Sequence, residues 1–447
     1  MKIPDLDRVT RLTEGDRRAI AVGRRRLDGK FARLRGIVPH IVDLSCREGS
    51  LPASHGHTLE DKRTLLELAK AFGFKDIAVS SFFDFVNIDE AFVRELKAAG
   101  DGMDGYFSNA MVVKTRADRP LEPSYGMRRI AELGIPNVLL LMEIRPRTIA
   151  DQGRGRGDVF RDIAQSVAYL REAALGPPSA RRGRIYARIL DIFDAWDEDP
   201  QIVVRALKLL RALPVNAVIF EDVRGTHFPF QTAELVRLIR RYTPQERVIL
   251  VHPHSGNGME DATVIEAVLA GADGIWAGFT PHAAQGAHGS SLMLLSNLVR
   301  AGNPHIEKIY RFKRLAEIAD RMSRIHMGEP IHKDHPVIGE RAYRYIDEGF
   351  VQTDQPCDLD PARVGRAPGY RITPAHSSPW AIARRLDQLG YPRRLWSDRA
   401  FIREIRILMA EANIAERRTE FDRPEEVAKL VDAAQARLSG RDRVAAD

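Results

Sequence analysis

Short apolar runs alternate along this chain with longer stretches whose apolar residues recur every three or four positions. The short runs are Ile37–Val42, Asp76–Ser80, Gly105–Val112, Asn137–Glu143, Arg184–Leu190, Ala217–Glu221, Arg247–Val251 and Gly274–Gly278. Continuous β-branched and aliphatic runs of this length are the pattern of parallel strands buried on both faces. The periodic stretches between them predict helices over Thr58–Phe72, Asn87–Ala99, Ser124–Leu133, Val159–Glu172, Pro200–Leu213, Thr232–Tyr242 and Glu260–Ala270. Thr58 with Asp61 three residues on reads as a capping box, and Gly271 as a C-cap. Eight strands separated by helices over about 250 residues is the count of a (β/α)8 TIM barrel. A doubly wound open sheet alternates similarly, but it wants a glycine-rich phosphate turn after the first strand, and Gly49 alone does not supply one.

The ends of the chain follow a different pattern. Residues 1–34 are polar and arginine-rich, with helical spacing over Ile20–Leu34, and predict a helical extension packed outside the barrel of residues 35–300. Ile306–Ile325 reads as one long amphipathic helix. Residues 337–378 are rich in Pro, Gly and Asp and read as irregular, followed by helices over Ser378–Gly390, Asp398–Ala415 and Pro424–Leu438. The expected organisation is therefore a barrel, a linker or lid region at 301–390, and terminal helices at 391–447, making the C-terminal part mostly helical.

Composition narrows the class. With 447 residues, 44% hydrophobic and 29% charged, the chain has room for one large barrel and an appended region. Its net charge of +7 is scattered in short clusters such as Arg24–Arg26 and Arg393–Arg394. That pattern suits anionic small molecules and argues against a nucleic-acid stripe. Two distant cysteines, Cys46 and Cys357, offer no disulfide framework. The first residues lack a signal-peptide apolar region and no run approaches a membrane span, so the expected setting is the cytoplasm.

The chemistry gathers at strand ends. His252 and His254, in Val251-His-Pro-His-Ser-Gly-Asn-Gly258, stand at i and i+2 and so face the same way at the end of the seventh strand. Paired imidazoles suit a divalent metal and require further ligands. Asp43, at the end of the first strand, is the expected third ligand, because barrel strand ends converge on one axis. The plain alternatives are two hydrogen-bonded loop histidines and an aspartate that caps a turn. Glu143 and Asp222 end the fourth and sixth strands, and Arg145 offers a fork for a substrate carboxylate; each also reads as a solvated loop charge. His55, His57, Trp196, Trp276 and Trp380 read as surface or packing residues.

These motifs resemble the DRE-TIM metallolyase superfamily, nearest its Claisen-type acyl-CoA synthases (isopropylmalate, homocitrate, citramalate and Re-citrate synthases). The synthases' Asp-x-Thr-x-Arg-Asp-Gly is similar to Asp43-Leu-Ser-Cys-Arg47-Glu48-Gly49, and their His-x-His-Asn-Asp-x-Gly to His252-Pro-His254-Ser-Gly-Asn-Gly258. Glu221-Asp222-Val-Arg-Gly225 lies where the family has Asp-Thr-Val-Gly. Beyond the barrel, Pro336–Tyr343, Asp360–Gly365 and Ala375–Ser378 resemble subdomain segments of the synthases, so the likeness runs from about residue 36 to 390. The pattern breaks on the eighth strand, where the family's Gly-Glu-Arg-Ala-Gly-Asn is Gln285-Gly-Ala-His288-Gly289-Ser290.

The resemblance implies an acyl-CoA:2-oxo acid condensation on a divalent metal (Mn, Mg, Zn or Co) in a homodimer. It implies Asp43, His252, His254 and, at the family's asparagine position, Ser290 as ligands. Arg47 would stabilise the alkoxide, Glu48 would orient the ligand side, and Glu143, Arg145 and Asp222 would meet substrate. His376 is the preferred base and His288 its competitor. Two other readings stay open: a metal-dependent lyase or aldolase of a 3-hydroxy acid, and a non-catalytic barrel.

Overall fold

A computed structural model describes residues 10–48, 56–82, 88–112, 122–281, 287–421 and 423–444. The chain folds into two compact units, Met1–Arg311 with Ile318–Pro330, and Phe312–Glu317 with Ile331–Asp447.

The first unit is the expected barrel. Eight parallel strands close on themselves: β1 (His40–Asp43), β2 (Asp76–Ser81), β3 (Tyr106–Met111), β4 (Asn137–Glu143), β5 (Arg184–Leu190), β6 (Ala217–Asp222), β7 (Val248–Pro253) and β8 (Gly274–Ala277). Closure is made by β1 against β8, with His40 opposite Gly274 and Asp43 opposite Ala277. Val42, Leu44, Ala78, Phe107, Leu139, Tyr186, Ala217, Ile219, Leu250 and Trp276 fill the interior. Because strand side chains alternate faces, this set tells which neighbours point inward: Asn109, Arg188, Glu221 and His252 do, two residues beyond an interior position.

Charged residues inside an apolar strand must be paired, since unpaired burial costs several kcal/mol. Arg184 on β5 forks onto Asp76 with two 2.8 Å contacts, and the Tyr186 hydroxyl lies 2.9 Å from His40 Nε2, which closes the N-terminal end of the barrel. The helix Glu14–Gly36 is capped at Thr13 and buries none of its residues. Arg33 holds it to the carbonyls of Val268 and Ala272, and Arg35 to that of Ala301.

The long helix expected over Ile306–Ile325 is broken. Ile306–Ile309 ends in an extended Tyr310, and a 3-10 turn at Phe312–Arg314 leads into the α-helix Leu315–Met327. The break lets Tyr310 stack on Phe72 (5.4 Å) and pack against Phe74, while the Arg311 N–H donates to the Phe72 carbonyl. Aromatic burial outweighs the helix hydrogen bonds lost there.

The second unit has its own core, in which Ile382 and Leu386 meet Phe401, Ile405, Met409, Phe421, Val427 and Val431. The helices Pro379–Gln388, Arg399–Glu416 and Pro424–Val444 thus share one core with Ile372, instead of dividing near residue 390 as expected. Its irregular part holds a two-residue parallel pair, Arg344–Tyr345 with Gly369–Tyr370, and short 3-10 turns at Glu348–Phe350 and Pro361–Val364. No helix among the described residues is long and apolar enough to cross a membrane.

Candidate metal centre

β6 and β7 run side by side with Glu221 opposite His252, so the inward positions at their C-terminal ends are neighbours. His254 lies just beyond β7. The ligand atoms of Glu221, His252 and His254 all fall within 4.8 Å of one another. Glu221 Oε1 is 3.4 Å from His254 Nε2 and 4.0 Å from His252 Nε2, and the two imidazoles stand nearly perpendicular, 4.8 Å apart.

The protonation pattern of His252 is fixed by its surroundings. Nδ1 sits 2.6 Å from the Trp276 carbonyl, an acceptor only, so this nitrogen carries the hydrogen and Nε2 keeps its lone pair. Burial holds the imidazole neutral, well below its ordinary pKa, against the opposing charge of Glu221. A ring nitrogen donated to a backbone carbonyl while the other faces a carboxylate is the arrangement of a metal-bound histidine. Two imidazole nitrogens and one carboxylate oxygen suit a divalent transition ion. The residues therefore fit the metal that the motifs imply.

Glu221 stays ionised although burial opposes it, because the Arg188 guanidinium and the hydrogen bond with His254 hold its carboxyl well below the usual range. Arg188 Nε donates to Glu221 Oε2 at 2.6 Å and a terminal nitrogen to Asn109 Oδ1 at 3.3 Å. The Arg188 guanidinium also lies 4.2 Å from the Trp276 ring centre. Arg47 approaches the same ring at 5.2 Å and is buried. The centre thus gathers two guanidiniums, one carboxylate, a histidine pair and an indole floor.

Local backbone positions these groups. The loop after β6 packs directly on the loop after β7: Gly225, at φ +61°, leaves room for the His254 carbonyl, which would stand 1.9 Å from an added Cβ. Gly256 faces the Arg224 carbonyl in the same way, at 1.8 Å. Only glycine permits either approach. The turn carrying Arg47 (Ser45–Glu48) is held from behind by Lys62, which is fully buried. Its ammonium donates to the Cys46 carbonyl at 2.7 Å and meets Asp89 at 2.6 Å, and Asp89 in turn accepts from the Ser81 N–H.

Several expected site residues are placed elsewhere. Asp43 does not join the histidines: Val42 and Leu44 point into the barrel, so Asp43 points out of it. There it accepts from the Ser45 N–H (3.2 Å) and hydroxyl (3.1 Å). Burial pushes its pKa up to about 7, against those two hydrogen bonds. Ser290 caps the helix Ser291–Arg300 by accepting from the Met293 N–H, a role set by its position before that helix. His288 is next to His252 but saturated: Nε2 accepts from the Gly278 N–H and Nδ1 faces the Gly289 carbonyl. Burial lowers its pKa to about 4, which leaves little basicity.

Arg145 is committed to Asp194 and Glu198, so its fork is already filled. Asp222 accepts from the Gly225 and His227 N–H groups and shapes the loop after β6. Glu143 accepts from Gln152. His57 is buried against His326 at 3.2 Å, not exposed as expected. The thiol of Cys46 is pushed up to about 12 by burial and is no nucleophile at neutral pH. His376 belongs to the second unit and is exposed; its backbone N–H donates to Thr373. The side chain of Glu48, and residues His55 and Gln285, lie outside the described residues.

The outward Asp43 makes a pH prediction. Its folded-state pKa of about 7 exceeds the ordinary value near 3.9, so the folded chain holds this proton more tightly than the unfolded chain. Its contribution to stability is complete below about pH 4 and falls as pH rises toward 7, by at most about 1.4 kcal/mol per unit. Asp43→Asn should therefore flatten the decline of Tm between pH 4 and 7 and leave metal affinity nearly unchanged. A calorimetric series that kept the wild-type slope would assign the decline to other groups.

Taken together, the chain is a TIM barrel with a metal-type centre at the C-terminal ends of its strands. Comparison narrows the class. A 2-isopropylmalate synthase from Ralstonia pickettii (strain 12J) is 24% identical over 353 residues, covering 73% of this chain and 60% of that protein. The chain thus spans about 60% of that relative's length. No family model matches the chain. Among solved structures, the HMG-CoA lyase from Brucella melitensis superposes with a TM-score of 0.50 at 15% identity, over 63% of this chain and 96% of that one, a likeness of fold. The hydroxymethylglutaryl-CoA lyase from Pseudomonas aeruginosa gives 0.49 at 16% identity, over 64% and 92%. Its strand-end motifs and the synthase likeness make the chain similar to the DRE-TIM metallolyases.

Proposed function

We propose that this chain is a metal-dependent acyl-CoA:2-oxo acid C-acyltransferase, joining the two by Claisen condensation and releasing CoA. The observation that carries the reading is the fixed tautomer of His252, with its free Nε2 beside His254 and Glu221. The synthase likeness supports the reaction class.

A divalent ion (Mn, Mg, Zn or Co) held there would supply Lewis acidity toward the oxo-acid carbonyl. The remaining work falls to the chain's own groups. Arg47, buried beside Trp276, stabilises negative charge on the alkoxide oxygen. Arg188 and Arg47 together give the centre affinity for carboxylates. His376 is the base assigned to the proton of the acyl methyl group, and the active assembly is a homodimer. Trp276 and the Arg188–Asn109 bond keep the floor of the site rigid.

The test is incubation of purified protein with Mn2+, acetyl-CoA and a panel of 2-oxo acids while free thiol is followed. Thiol release dependent on one oxo acid is expected. Cleavage of a 3-hydroxyacyl-CoA without such release would overturn the synthase reading in favour of a lyase. Inertness toward both, in metal-loaded protein, would leave a binding barrel.

A further inference from the structure

We infer that Glu221 is the carboxylate ligand of the metal and that Arg188 is the residue that positions it. This rests on the metal reading above and assigns the site's third protein donor to β6.

The two oxygens of the Glu221 carboxylate have separate partners. Oε2 accepts from Arg188 Nε at 2.6 Å, and Oε1 faces the two imidazoles at 3.4 and 4.0 Å. Arg188 is itself fixed on two other sides, by Asn109 on β3 and by the face of Trp276 on β8. The chain of contacts Asn109–Arg188–Glu221–His254 therefore crosses from β3 through β5 and β6 to the residue just beyond β7, and Asn109, Arg188 and Glu221 are all buried.

A glutamate pinned in this way has one rotamer, and that rotamer presents one oxygen to the histidine pair. Donors held in place before the ion arrives lose little freedom on binding, which raises affinity. The guanidinium also draws charge from the carboxylate, so Glu221 is a weaker donor than a free one, and the bound ion keeps more of its Lewis acidity. A buried Arg–Glu pair kept only for packing has no reason to leave an oxygen within reach of two imidazole nitrogens.

The experiment is titration of the apo, full-length protein with Co2+, followed by visible absorption, which reports the ligand set independently of turnover. Glu221→Gln should weaken Co2+ binding at least about 100-fold and change the spectrum. Because that change leaves Arg188 buried without its anion, Glu221→Asp is made alongside: it keeps the charge, shortens the reach, and should still weaken binding and shift the spectrum. Arg188→Lys cannot span Glu221 and Asn109 together and should cost about 10-fold in affinity, as outer partners of metal ligands do. Wild-type affinity and spectrum in a folded Glu221→Asp protein would overturn this assignment alone. No Co2+ binding by the wild type would overturn the metal reading itself, and the assignment with it.

Discussion

Replacing His252 by alanine should remove metal binding and turnover together. The Trp276 carbonyl sets the tautomer of this imidazole and leaves its Nε2 toward Glu221 and His254. Loss of the ion forfeits several kcal/mol of carbonyl polarisation, which corresponds to a fall in kcat/KM on the order of 10³-fold. The variant also leaves the Trp276 carbonyl buried without a donor, at about 1–3 kcal/mol of stability. His254→Ala spares that carbonyl and should lose the ion as well, which separates metal loss from instability. Metal content by elemental analysis, read beside activity, checks both. Full metal occupancy in either variant would reduce that histidine to packing.

Arg47→Lys should lower kcat by about 10²–10³-fold with little change in KM. Arg47 and Arg188 bring two positive charges to one indole, beside the carboxylate of Glu221. Burial and then the Arg188 charge hold the Arg47 guanidinium well below its ordinary pKa. Such a centre attracts an anion, and the attraction is greatest where negative charge is greatest, on the developing alkoxide. A lysine has neither the flat face for Trp276 nor the fork for an oxyanion. Steady-state kinetics on the metal-loaded protein check this; an effect confined to KM would make Arg47 a ground-state binding residue.

The barrel was legible because parallel strands buried on both faces write themselves as unbroken apolar runs. Two of them, Asn137–Glu143 and Arg184–Leu190, have the expected bounds, and the capping box at Thr58 forms as read. The histidine pair followed from strand periodicity. The same periodicity, counted through Val42 and Leu44, would have turned Asp43 outward; its place at a strand end hid its facing. Arg184 and Arg188, four apart in an otherwise apolar strand, were the signal for two inward charges, and Glu221 for the partner of one. Other roles rest on contacts remote in sequence. Arg145 meets residues about fifty positions away, and His57 meets His326, pairings that no local pattern encodes. Ser290 was read by its place in a motif, but the helix that starts beside it decides what its hydroxyl does.

The Lys62 clamp bears on how such a barrel is altered by recombination. The turn that carries Arg47 is not a self-sufficient cassette: its shape is underwritten by a buried ammonium from the next helix and by Asp89 from the helix after β2. Grafting residues 43–48 into a related barrel transfers the buried guanidinium without the groups that hold its turn. The smallest exchangeable block reaches from β1 through Asp89, so in this fold the first two β/α units pass between proteins as one piece.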